Sequence, residues 1–199
     1  MRSSQLVLAF VVAIPCSVWA QKTQDQTEKR IEYPSPDGRF AFLFARPPEG
    51  RKTVELIEKD SGKVLRRIVE SEEASGDRLD ANMAWTSDSK VFAVGYRLNR
   101  RGSEIVVFSR SGEIFHQIKL PKFPRAELPA ESGKGEITDV DGTHALRWEK
   151  DGSLVAELET KKTRGDDVLI ATRTIVFGFD QSGEARILKT TQSVTTQQE

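Results

Sequence analysis

One stretch recurs three times along this chain, and it constrains the fold more than any other feature. The middle copy runs from Trp85 to Ile118 and reads WTSDSKVFAVGYRLNRRGSEIVVFSRSGEIFHQI. It contains a Trp, a tight Asp88-Ser89 turn, an apolar strand, a polar loop, a second apolar strand, an Arg110-Ser111-Gly112 turn and a third strand. A short strand, Ala81 to Trp85, leads into it. The first copy opens at Ser35-Pro36-Asp37-Gly38, where Pro presets φ, Asp bonds its own backbone and Gly accepts positive φ. Phe40, Phe42 and Phe44 then fall on one strand face, with Ala41 and Leu43 on the other. Strands over Thr53 to Lys59 and Val64 to Val69 follow, separated by Asp60-Ser61-Gly62. The third copy begins at Asp151-Gly152 and ends with Gln181-Ser182-Gly183 and a strand over Ala185 to Lys189. It carries about eight extra residues, which fits a longer central hairpin. No segment of helical length has apolar positions at helical spacing with a cap. Short strands at regular spacing with turns between them indicate an all-β domain of antiparallel sheets over residues 31–190.

The ends of the chain read differently. Arg2, an apolar run from Leu6 to Ile14, and Val18-Trp19-Ala20 have the form of a secretory signal peptide over residues 1–20, with cleavage expected between Ala20 and Gln21. The apolar run is too short to span a bilayer. Cys16 is the only cysteine and leaves with the signal, so the mature chain has no thiolate ligand and no disulfide. The protein is therefore expected to be exported, to a periplasm or to the outside of the cell. Residues 21–30 are polar without apolar period and read as a flexible leader; residues 191–199 read as a disordered tail for the same reason. The whole chain has 30 basic and 30 acidic residues, which gives no electrostatic case for nucleic acid as an obligate partner.

An aromatic, then Ser35-Pro36-Asp37-Gly38-Arg39, then a strand ending in a Ser-Gly turn resembles the blade repeat of TolB-type and WD-repeat-like β-propellers. The match is looser at Thr86 to Lys90 and at Glu149 to Ser153. The resemblance implies a hairpin turn at each Asp and an aromatic packed between blades; it implies structure and no activity. Propellers close with about four to eight blades. Three units point instead to a compact single-chain β domain or an open stack, or to a ring completed by a second copy in a homodimer.

Motifs for chemistry are sparse. There is no Gly-x-Ser-x-Gly, no His-Glu-x-x-His and no glycine-rich phosphate loop. No cofactor is expected. Asp139, Asp141 and His144 form a weak candidate for a cation, but calcium asks for about 6–8 oxygen ligands, and an Asx turn between two short strands explains Asp141-Gly142 as well. Paired acids at Glu72-Glu73 and Asp166-Asp167 lie in expected loops. The loop joining the first two strands of every unit is basic: Arg46, Arg51 and Lys52; Arg97, Arg100 and Arg101; Lys161, Lys162 and Arg164. If the units share an orientation, these cations gather on one face and attract an anionic envelope component or an acidic protein. The function expected is a non-catalytic binding or scaffold domain. The alternative is a secreted hydrolase acting on carbohydrate through loop carboxylates.

Overall fold

In a computed structural model, which describes residues 27–48, 51–71, 81–99, 102–180 and 182–198, the chain forms twelve β-strands and, among the described residues, no α-helix. The strands make three four-stranded antiparallel sheets, each an up-and-down meander in chain order. The first holds β1 (Glu28–Glu32), β2 (Phe40–Arg46), β3 (Lys52–Glu58) and β4 (Val64–Ser71). The second holds β5 (Ala81–Trp85), β6 (Val91–Asn99), β7 (Gly102–Ser111) and β8 (Ile114–Ile118). The third holds β9 (Glu136–Trp148), β10 (Leu154–Arg164), β11 (Asp167–Phe179) and β12 (Ala185–Gln198). The all-β expectation holds, and the three sheets form a single domain. Among the described residues no helix is long and apolar enough to cross a membrane.

Period-two alternation explains how the sheets stack. Phe40, Phe42 and Phe44 of β2 meet Phe92, Val94 and Tyr96 of β6 in one core. The intervening residues of the second sheet point the other way: Ala93, Ile105 and Val107 meet Leu154, Ala156, Leu158, Ile175 and Phe177 of the third sheet in a second core. Successive side chains on a strand leave opposite faces, so the middle sheet is covered on both. The strands of the third sheet run to 13 and 14 residues and extend beyond the second. The segment after β8 covers the excess. There Ala126 is buried, Phe123 meets the Phe177 ring edge-on at 5.6 Å, and the Arg173 Nε donates to the Arg125 carbonyl.

Several boundaries differ from those expected. The leader reading ends early, because Glu28 to Arg30 already pair with β2. The tail reading is also corrected: β12 continues to Gln198, paired with Asp167. Its last eight residues are exposed on both faces, so backbone hydrogen bonds hold a strand that shows no apolar period. The basic loop expected around Lys161, Lys162 and Arg164 shrinks to a tight turn at Gly165-Asp166, because Gly165 takes φ +61° and Arg164 pairs with Asp167. Arg97 likewise belongs to β6, opposite Ser103. Residues 136–148 form one strand with irregular register rather than two strands around a turn, and Gly142 pairs with Glu159. Glu72 and Glu73 lie outside the described residues.

Candidate functional site

Each sheet turns from its first to its second strand at an aspartate. The Ser35 hydroxyl donates to Asp37 Oδ1 at 2.6 Å, and the Arg39 amide donates to the same oxygen at 3.1 Å. In the second sheet the Thr86 hydroxyl and the Lys90 amide do the same to Asp88, at 2.7 and 3.1 Å. In the third, the Ser153 hydroxyl and amide both donate to Asp151, at 2.7 and 3.0 Å. Short polar side chains that bond their own backbone favour such turns. The carboxyls titrate below the ordinary aspartate value. For Asp37, burial pushes upward but is outweighed by Ser35, the Arg39 amide, Arg110 and Ser89. The Thr86 hydroxyl leads for Asp88, and the Ser153 hydroxyl for Asp151.

The turns also mark how neighbouring sheets meet. The Trp85 indole donates to the Tyr33 carbonyl at 3.1 Å, and the Trp148 indole donates to the Ala84 carbonyl at 3.0 Å. In both, a Trp at the end of a first strand reaches the residue before the equivalent turn of the preceding sheet. Fully buried Ser89, at φ 58°, accepts from the Asp37 amide at 2.9 Å. The Asp turns of the three sheets therefore share one edge of the stack.

At this edge the two joints differ. Between the first and second sheets, the Arg110 guanidinium sits 4.7 Å from the centre of the Phe40 ring and 3.7 Å from Asp37. Arg39 approaches the same ring at 5.3 Å. Between the second and third sheets lies a groove of about 790 Å³. Val91, Trp148 and Phe179 line its apolar part, and the Trp148 and Phe179 rings lie 5.4 Å apart. Asp88, Glu149, Lys150 and Asp180 also line the groove, with Asp88 paired to Lys90 at 3.5 Å and Glu149 to Arg147 at 3.0 Å. Asp180 Oδ1 accepts from the Ser182 hydroxyl at 2.6 Å and from the Ser182 and Glu184 amides at 2.9 Å, and these bonds, the hydroxyl foremost, lower its pKa. Nothing in the motif reading pointed to this groove.

The basic connections lie at the opposite edge, since each joins the second and third strands of its sheet. Their cations are less available than the sequence implied. Lys52 is buried, 9% exposed, within β3. Lys162 is bound to the segment after β8, donating to the Gly133 carbonyl and to the Ser132 hydroxyl. Arg51 pairs with Glu70 at 3.3 Å, Lys161 with Glu159 at 3.1 Å and Arg164 with Asp167 at 3.6 Å. Arg46 is exposed and Arg97 half-buried; Arg100 and Arg101 lie outside the described residues. Lys52 and Lys162 are thus held within the fold, and Arg51, Lys161 and Arg164 are engaged in ion pairs near the surface. The cation candidate falls on β9, but the side chains of Asp139, Asp141 and His144 lie outside the described residues. Elsewhere among the described residues no group of three potential metal ligands comes together. No protein-family model, no curated protein and no solved structure matches this chain.

Proposed function

We propose that the chain is an exported, non-catalytic binding or scaffold module, built from three blade-like copies of one sheet unit, that holds an anionic envelope component at its basic edge. One observation carries the reading: each sheet is an up-and-down meander, so the ends of its second and third strands that bear the basic residues lie opposite its Asp turn. The matching Asp turns and the repeated Trp-to-carbonyl bond support kinship of the units. Exposed ion pairs such as Arg51 with Glu70 are worth about 0–1 kcal/mol, so an incoming anion can exchange for the internal carboxylate. Hydrolysis of carbohydrate is less well supported. A general acid needs a raised pKa, and the groove carboxyls Asp88 and Asp180 are both lowered.

Retention on phosphatidylglycerol vesicles at low salt tests the binding reading. The chain is expected to be retained and to dissociate as salt rises, because exposed charges are screened over about 8–10 Å at moderate ionic strength. A variant with Arg46, Arg51, Arg97, Lys161 and Arg164 changed to Gln is expected to pass unretained. Equal retention of the two proteins removes the proposal. Export predicts that protein recovered outside the cytoplasm begins at Gln21.

A further inference from the structure

We infer that the far half of β12, Thr190 to Gln198, is a docking edge at which a second copy of this chain adds its own β12 antiparallel, joining the third sheets of two chains into one. A sheet edge presents a row of backbone donors and acceptors without ladder partners. Such a row is a template for another strand unless short length, charge or irregular geometry prevents pairing. The edges of the three sheets are β1 and β4, β5 and β8, β9 and β12. All but the last are protected along their length. β5 and β8 have only five residues each. β1 is as short, and Glu28, Lys29, Arg30 and Glu32 leave Ile31 as its one uncharged residue. β4 has two register shifts and carries Arg66, Arg67 and Glu70; β9 has three register shifts. Bulges bend and twist a strand away from flat pairing. β12 is protected only at its start. Arg186 and Lys189 stand there, and Leu188 bulges between Ile187, opposite Phe177, and Lys189, opposite Val176. From Lys189 to Gln198 the register against β11 is unbroken. Thr190 to Gln198 holds no charge, no Pro and no Gly, and Thr191 to Gln198 are all exposed. The composition of this run selects a copy of itself as partner. Turned antiparallel about Val194, it sets Val194 opposite its counterpart, Ser193 opposite Thr195 and Gln192 opposite Thr196. No like charges meet, and β-branched and hydroxyl side chains pair well across strands. Val194, 40% exposed, gains an apolar neighbour. A two-fold axis uses the same patch on both chains, so one run supplies both halves of the contact.

The test is sedimentation equilibrium of the full chain over a concentration series, with reductant present to keep Cys16 from bridging two chains. The mass of two chains is expected. Val194→Lys sets two ammonium groups face to face at the axis, and Val194→Glu two carboxylates, so each variant is expected to sediment as one chain. Mixed in equal amounts, the two variants are expected to recover the mass of two chains, because opposite charges then meet. Thr195→Lys, on the other face of the strand, is expected to raise the concentration at which the pair dissociates. Ile31→Lys, on the edge of the first sheet, is expected to leave the mass of two chains. Urea midpoints show whether each variant folds, and Thr195→Lys carries the test if a Val194 variant does not. A single-chain mass for the unaltered chain, or two-chain masses for both Val194 variants, overturns the inference. Val194 variants that stay apart when mixed overturn the pairing about that residue. Loss of the pair in Ile31→Lys assigns the contact to the first sheet and overturns the choice of β12.

Discussion

Between the first and second sheets the core is aromatic: Phe92 touches the rings of Phe42, Trp85, Phe108 and Phe115 at centroid distances of 4.8 to 5.5 Å. Between the second and third sheets it is largely aliphatic, with alanines at 93, 126 and 156 and leucines at 154 and 158. Both joints use a Trp indole on a neighbouring carbonyl. The backbone plan is common to the two joints, and the side chains filling them differ. Large rings and an internal arginine close the first joint to its edge. Smaller side chains bring the backbones of the second together, while its edge stays open. The difference teaches that one backbone plan can be closed to its edge by large rings or left open there by smaller side chains.

The comparison is broken most sharply in the cores. Phe92→Ala is expected to cost about 3–5 kcal/mol by urea unfolding, because it empties the centre of the aromatic cluster. Leu158→Ala is expected to cost about 2–5 kcal/mol. A much smaller loss for Phe92→Ala than for Leu158→Ala would reverse the ranking of the joints.

Close approach at the second joint gives the next effect. A Cβ at Gly95 would lie 2.5 Å from Thr143 Cγ2, so Gly95→Ala forces the second and third sheets apart. Overpacking of this kind costs about 1–3 kcal/mol. Pairing it with Thr143→Gly is expected to recover most of the loss, a double-mutant coupling that a purely local backbone effect would lack.

Trp85→Phe and Trp148→Phe sharpen the common part of the plan. Each removes one indole hydrogen bond and is expected to cost about 1 kcal/mol, with similar values at the two joints. Unequal losses would show that the shared bond is supported differently on the two sides.

The smallest effect is in acid. The folded pKa of Asp37 lies below its reference of 3.8. Its carboxylate therefore contributes stability that is present above pH 3.8 and lost as pH falls through the lower, folded value. Asp37→Asn lacks that contribution, so the stability gap between the two proteins is expected to narrow as pH drops below 3.8. A gap that stays constant would show that the Ser35 and Arg39 hydrogen bonds and Arg110 together do not favour the Asp37 carboxylate.

Some of this was legible along the chain and some was not. Asp37, Asp88 and Asp151 were readable as turns because each bonds a hydroxyl or amide within two residues. The aromatic face of β2 followed from simple alternation. The tail was misread because the side chains of β12 carry no pattern there; its order comes from β11, distant enough in sequence to be invisible in composition. The basic residues were seen, but their availability was not, since Lys162 is engaged by Ser132 and Gly133 from another segment. Asp88 and Asp180 line one groove although 92 positions separate them, and no local motif joins them.

By itself, the order of residues determined the all-β class and the position of each Asp turn. Strand alternation and turn hydrogen bonds act over a few residues, so they are written locally. Only the tertiary structure decided which faces meet, which cations are consumed in the fold and where the open groove lies. Burial, ion pairing and void volume depend on groups brought together from remote parts of the chain, and that pairing is an outcome of how the sheets stack.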